Sequence, residues 1–234
     1  MRKIIIFTTL ILSSTFTIAV QKKLIKEINL DAFSSATMPR FQNVGNGHMA
    51  IVWWIPNEFW ESVVAQNTTT SVADRKSMVN TFSGTSLLAV VQADISSLGA
   101  FTFYSKEEIQ KTMQLSFVDK TGKKKRLRTM QTISADLELL LNVFKPILSN
   151  AMGNMGDNMH FFVLNDQINS KDRLLNPYKK GAIHISLKKK NGDLITTKIE
   201  FPLDILFVPR KCPNGKDAHI SWNYCPWTGT ALKK

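Results

Sequence analysis

The sequence has only two cysteines, and its 234 residues contain neither a Gly-x-Ser-x-Gly nor a His-Glu-x-x-His motif. A phosphate-binding glycine-rich loop is also missing. The four histidines lack the i, i+4 spacing of a helical zinc site; they are His48, His160, His184 and His219. We therefore expect no metal and no cofactor. A Ser/His/Asp triad assembles in space rather than along the chain, so it is neither indicated nor excluded.

Only one long apolar run is present, and it lies at the N-terminus. Basic residues at Arg2 and Lys3 precede it, and Thr17 and Ala19 place small residues at −3 and −1 of a cut after Ala19. This is the layout of a cleavable signal peptide over residues 1–19. The alternative is an uncleaved anchor, but Ile4–Val20 is short for a bilayer span and is diluted by Ser and Thr. We expect an exported bacterial protein, periplasmic or secreted.

The charge is strongly positive, at +12 for the whole chain. Such an excess favours an anionic partner, for example a membrane surface, a polysaccharide or a nucleic acid. The alternative is a basic bias spread over solvated surfaces. Export and the lack of aromatic residues between the lysines argue against nucleic acid.

Helical and strand patterns are mixed without β-α-β alternation, which predicts an α+β fold with a mostly antiparallel sheet. The pattern predicts a strand over His48–Ile55 and a hairpin turn at Asn191-Gly192. Another strand is predicted over Leu203–Val208. Helical spacing predicts several short helices and one long helix over about 134–152, with an apolar stripe of Leu137, Leu140, Leu141, Phe144, Leu148 and Ala151. We divide the mature chain into a lead-in and loop (20–47), one α+β domain (48–209) and a tail (210–234).

Lysine and arginine residues concentrate at two predicted hairpin tips. The two clusters that we select as candidate anion-binding residues are Lys123, Lys124, Lys125, Arg126 and Arg128, and Lys188, Lys189 and Lys190. If the tips lie side by side, they form one basic surface for an anionic partner. Alternatively, the lysines only protect exposed strands from edge-to-edge aggregation.

The cysteines are Cys212 and Cys225, both in the tail. An even pair in an oxidising compartment predicts a disulfide, worth ~3 kcal/mol for a loop of this length. Two free thiols are one alternative. A zinc site is the other, but it needs four N or S ligands and only His219 lies nearby.

The tail contains two similar segments, Cys212-Pro213-Asn214-Gly215 and Cys225-Pro226-Trp227-Thr228-Gly229. Over about 20 residues it resembles a zinc ribbon, whose two knuckles follow the pattern Cys-Pro-x-Cys-Gly. The first cysteine of each knuckle is present, and Gly215 and Thr228 stand at the second position. The resemblance implies a small two-knuckle hairpin in which a disulfide takes over the role of the metal. The main domain resembles no characterised family.

Aromatic residues surround the second cysteine: Trp222, Tyr224 and Trp227. If exposed, they could stack on sugar rings or on a partner surface. Alternatively, they pack around the bridge and dock the tail onto the main domain.

Two carboxylates, Glu58 and Glu61, lie three residues apart in a tryptophan-rich segment. They are weak candidates for the acid and base of a glycoside hydrolase, which needs two carboxylates across the scissile bond. Neighbouring glutamates on a helix are otherwise solvated. We therefore predict a non-catalytic binding or interaction protein of the cell envelope, contacting an anionic component or another envelope protein. The alternatives are a hydrolase acting on an envelope polysaccharide and a purely structural envelope protein.

Overall fold

The computed structural model describes residues 20–169 and 172–232, without the side chains of residues 148–151. The predicted signal peptide and its cleavage point after Ala19 lie outside the described residues. Among the described residues, no helix is both long and apolar enough to cross a bilayer.

The chain folds into helices and antiparallel strands, which confirms the predicted α+β class. The helices are α1 (Leu30–Thr37), α2 (Asn57–Gln66), α3 (Val72–Thr81), α4 (Lys106–Thr112), α5 (Ala135–Met152) and α6 (Asn154–Asp157). The strands are β1 (His48–Ile55), β2 (Thr85–Ile95), β3 (Phe101–Phe103), β4 (Gln114–Asp119), β5 (Lys124–Leu127), β6 (His160–Asn165), β7 (Gly181–Lys188), β8 (Leu194–Phe201), β9 (Arg210–Lys211) and β10 (Asp217–Ala218).

The first sheet is built around β2, which pairs with β1 along one edge and with β3 and β6 along the other. Residues Ser86–Ala93 of β2 are buried on both faces. This burial explains why β2 reads as a nearly continuous apolar run rather than as an alternating one.

The second sheet has the order β5-β4-β7-β8, with every pair antiparallel. Its strands alternate, so one face is apolar and buried and the other carries polar side chains. Ile183, Ile185 and Leu187 lie on the buried face of β7, whereas His184 and Ser186 lie on the open face.

The first sheet lies between the helices and the second sheet, as two neighbouring tryptophans of β1 show. Trp53 contacts the helical layer, because its indole N–H donates to Thr37 of α1 at 3.1 Å and its ring lies 5.3 Å from Phe59 of α2. Trp54 points to the opposite face and lies 4.8 Å from Phe201 of β8. Adjacent strand residues face opposite sides of a sheet, so this pair joins three layers.

The long predicted helix is present as α5, and two other local predictions are wrong. Phe144 of α5 lies 4.5 Å from Trp60, which places part of the predicted stripe against α2. The predicted lead-in and loop contains α1, which is anchored by the fully buried Phe33. The strand predicted over Leu203–Val208 is replaced by a 3-10 turn at Asp204–Leu206.

The chain divides into two compact units, and the larger one spans Lys22–Val208. The smaller unit contains the tail from Pro209 onwards. In the tail, β9 and β10 form a short hairpin, and a second hairpin brings Tyr224 beside Ala231. The tail core consists of Cys212, Ala218 and Cys225, with Leu232 packed against it.

Candidate functional site

The two lysine-rich hairpin tips lie at opposite ends of the second sheet. The β4–β5 turn follows Asp119, whose partner is Gly181 at the start of β7, whereas Lys188 ends β7. Eight residues of strand separate the two ends by about 23 Å. The two tips therefore do not lie side by side and do not form one basic surface.

The β7–β8 tip is held against the first sheet. The backbone N–H of Lys190 donates to the Tyr104 hydroxyl at 3.0 Å. The side-chain ammonium group of Lys190 lies 3.6 Å from the carboxylate of Asp94. The carbonyl of Lys188 accepts from the Gln92 side chain at 3.1 Å. The backbone of Lys188 and Lys190 thus connects the two sheets, and of the three lysine side chains that of Lys190 takes part through Asp94.

A groove of about 690 Å³ lies on the open face of the second sheet. Cross-strand pairing places Arg126, Ser116 and His184 in one row. The last residues of α4 lie at the border of the groove. The basic side chains of the lining are joined by hydroxyl and amide groups from Thr112, Gln114, Ser116, Ser186 and Thr196. Among the described residues that line the groove, none carries a carboxylate.

A second cleft, of about 930 Å³, lies between the β4–β5 hairpin and the segment after β6. Its basic residues are Lys120, Lys123, Lys124, Lys125, Arg173, Lys179 and Lys180. Lys124 of the edge strand β5 lines both cavities, which lie on opposite faces of the β4–β5 hairpin, because Phe117 and Lys125 of the cleft alternate with Ser116 and Arg126 of the groove. We call the two together the basic surface.

The floor of the cleft includes the ring of Phe117, which covers the backbone of Gly181. A Cβ atom at position 181 would lie 2.7 Å from this ring, so only glycine fits there without a shift. The close approach fixes the register of β4 against β7 and, with it, the position of the basic hairpin.

The two carboxylates of the cleft already have partners. Asp119 accepts hydrogen bonds from the Thr121 hydroxyl and from the backbone N–H groups of Thr121 and Lys123, and these bonds lower its pKa. Asp172 bonds to Asn169 and lies 3.5 Å from Lys179. Both acids are therefore held within the walls of the cleft.

The catalytic candidates Glu58 and Glu61 do not line the groove or the cleft. Glu58 is 6% exposed and accepts from the Arg173 guanidinium at 2.8 Å. Arg173 also donates to the fully buried Asp166 at 2.9 and 2.6 Å. Glu61 accepts from Asn57 at 2.7 Å, and burial, reinforced by the charge of Glu58, raises its pKa.

This Glu58–Arg173–Asp166 cluster joins α2 to the segment after β6. One guanidinium pairs with two buried carboxylates, so each carboxylate has a cationic partner while the cluster keeps a formal charge of −1. Glu58 therefore forms a structural ion pair with Arg173.

The tail aromatics are exposed within the described chain. The exposed fractions are 37% for Trp222, 65% for Tyr224 and 48% for Trp227. Trp222 and Trp227 meet edge to face at 5.9 Å, and the Lys216 ammonium lies 4.9 Å from the Trp227 ring. Cys212 and Cys225 are buried together in the core of the tail. Among the described residues, no cluster of three or more potential metal ligands is present.

Several residues of the basic surface were not predicted from the sequence. Lys111, Lys179 and Lys180 belong to it, and Lys188–Lys190 do not. The alternation of polar residues in β7 and β8 identifies the open face, but only the pairing with β4 brings Arg126 beside His184.

Comparison of the chain with protein-family models, with curated proteins and with solved structures gives no match.

Proposed function

We propose that this protein is a non-catalytic binding protein whose basic surface holds an anionic glycan of the cell envelope. This proposal rests on the residues that line the groove and the cleft. Nine lysine and arginine residues line the two cavities, and one of them, Arg173, is bound to Glu58 and Asp166. The lining contains two carboxylates, Asp119 and Asp172, and both already have partners.

The other lining groups suit a sugar chain better than other polyanions. Hydroxyl and amide side chains such as Ser116, Gln114 and Thr196 can bond sugar hydroxyl groups, while lysine and arginine pair with carboxylate, sulfate or phosphate groups. Among the described residues that line the groove there is no Phe, Tyr or Trp, and the cleft adds Phe117, so nucleobases would find few stacking partners on the basic surface.

The dimensions also fit an extended ligand. Each cavity lies in the size range of small-molecule sites, and a linear chain that contacts both has to pass around the edge strand β5 beside Lys124. The location in the envelope rests on the predicted signal peptide, whereas binding itself can be measured on the purified protein.

Direct binding to polygalacturonate, a uronic acid polymer, tests the proposal, with uncharged dextran as the control polymer. Two charge-matched variants separate local recognition from net charge: K123Q/K124Q/K125Q on the β4–β5 hairpin and K188Q/K189Q/K190Q on the β7–β8 hairpin. Each variant removes three positive charges.

We expect the first variant to lose at least about tenfold in affinity, or roughly 1.4 kcal/mol, and the second to bind as the parent does. Binding should weaken with added salt, because exposed charges are screened. Equal losses in both variants, or equal binding to dextran, would contradict the proposal. Matching circular dichroism spectra and unfolding curves would show that both variants are folded.

A hydrolase would need two carboxylates facing its substrate. Glu58 is instead buried against Arg173, so we prefer binding to catalysis.

A further inference from the structure

His184 lies on the open face of the second sheet, in the row of side chains that crosses the groove. Its strand β7 is flanked by β4 and β8, which place Ser116 opposite His184 on one side and Lys198 on the other. Arg126 follows beyond Ser116, two strands or about 10 Å from His184. The imidazole is exposed within the described chain and lines the groove, so a ligand bound there can reach it.

The contacts of His184 differ from those of the other three histidines. The ring of His48 lies 2.9 Å from a carboxylate, that of His160 lies 3.1 Å from a backbone carbonyl, and that of His219 lies 2.8 Å from a serine hydroxyl. Among the described residues, none forms a hydrogen bond with the ring of His184. Both of its nitrogen atoms are therefore available to a ligand in the groove.

Most of the charged groups that face His184 are cationic. They come from its own strand and from three neighbouring elements: Lys188 of β7, Lys198 and Glu200 of β8, Lys124 and Arg126 of β5, and Lys111 of α4. The carboxylate in this set, that of Glu200, is already paired with the Lys198 ammonium at 2.7 Å. The residues of β4 on this face carry no charge; they are Gln114, Ser116 and Val118. Without a ligand, this excess of positive charge disfavours a protonated imidazole.

We propose that His184 is a ligand-binding residue of the groove and that its ring takes up a proton from the solvent when an anionic glycan binds. This role depends on the proposed function, because the bound anion is what favours the proton. A histidine changes its charge between about pH 5 and about pH 8, whereas the surrounding lysines and arginines stay charged. An anionic group of the ligand offsets their positive charge, so binding and protonation favour each other. The affinity for the glycan should therefore rise as the pH falls.

The affinity for polygalacturonate, measured from about pH 8 to about pH 5.5, tests this coupling. The uronate groups of the polymer stay ionised over this range, because carboxyl groups titrate near pH 4. We expect the parent protein to bind about three- to tenfold more tightly at the lower pH, since one coupled proton contributes a factor of this order.

Three variants separate His184 from other sources of pH dependence. In H184Q the rise in affinity should be absent. H184K carries a permanent charge at the same place, so at about pH 8 it should bind about as tightly as the parent protein does at about pH 5.5. H219Q changes the histidine of the tail and should keep the rise of the parent protein.

Calorimetry gives a readout that a purely structural role of His184 would not change. The heat of binding at about pH 6.5, compared between PIPES and imidazole buffers of equal ionic strength, measures the protons exchanged with the buffer. The parent protein should take up a fraction of one proton per bound site, and H184Q should take up none.

Binding by the parent protein without proton uptake would overturn this inference, as would equal pH profiles of H184Q and the parent. Either result would leave the binding of an anionic glycan intact, provided that K123Q/K124Q/K125Q still weakens it. No binding of polygalacturonate at any pH would instead overturn the proposed function and the role of His184 together.

Discussion

The carboxylate of Asp94 accepts a hydrogen bond from the hydroxyl of Tyr104 at 2.9 Å. The same carboxylate lies 2.9 Å from the imidazole of the buried His48, which contacts Gln92 through its other nitrogen at 3.2 Å. The Tyr104 hydroxyl in turn accepts from the backbone N–H of Lys190. One polar network therefore joins β1 and β2 of the first sheet to the β7–β8 turn of the second.

The hydroxyl of Tyr104 is one of the points at which the two sheets are connected, so its removal should weaken the larger unit. In Y104F, Asp94 loses one donor and the Lys190 N–H loses its acceptor, while the packing of the ring is kept. We expect the free energy of unfolding to fall by about 0.5–1.5 kcal/mol, because two hydrogen bonds between partly exposed groups are lost. Chemical denaturation measures this change.

Y224F serves as the control for Y104F, because Tyr224 is 65% exposed and lies in the tail. Its unfolding curve should overlay that of the parent protein. An unchanged curve for Y104F would mean that the network contributes nothing to the joining of the sheets.

Glu61 should make stability depend on pH in the direction opposite to a paired carboxylate. Burial and the charge of Glu58 raise its pKa above 4.5, so the folded state holds its proton more tightly than the unfolded state does. The contribution of Glu61 to stability is therefore favourable at low pH and is lost as the pH rises through this window. E61Q should be more stable than the parent protein at neutral pH, since the amide keeps an acceptor for Asn57 and carries no charge.

The difference in melting temperature between E61Q and the parent protein, followed from about pH 4 to about pH 8, isolates this effect. It should grow as the pH rises and then level off. E27Q removes an exposed carboxylate and should show no such trend. A difference that shrinks with rising pH would mean that the carboxylate of Glu61 is stabilised in the folded protein rather than destabilised.

Local sequence patterns were sufficient to predict the elements that have a clear periodicity or a characteristic turn sequence. The strand His48–Ile55 was predicted at its observed bounds, and the Asn191-Gly192 turn joins β7 and β8 as predicted. The helix α1 was missed because its eight residues include two serines and it lies in a short segment rich in Ser, Gly and Asn. A signal was present nonetheless: the Asn29 side chain accepts from the N–H of Ala32, as a helix N-cap does.

Long-range pairing could not be predicted from local patterns. Glu58 and Arg173 are 115 positions apart, and no periodicity relates them. The same holds for the basic surface, where Lys179 and Lys180 reach the β4–β5 hairpin only after the segment following β6 has folded back. Two lysine clusters that look alike in sequence differ in role because one contacts Asp94 and the other lines a cleft.

The ion pair between Lys198 and Glu200 predicts a variant with stronger binding. Lys198 lies opposite His184 in the row that crosses the groove, and its ammonium group is 2.7 Å from the Glu200 carboxylate. E200Q would remove this partner and make the ammonium available to an anionic ligand. We expect the affinity for polygalacturonate to rise by about 1.4- to fivefold, the range that corresponds to about 0.2–1 kcal/mol for an exposed ion pair. E27Q changes the net charge equally and should leave the affinity unchanged, whereas an equal rise in both variants would indicate that only net charge matters.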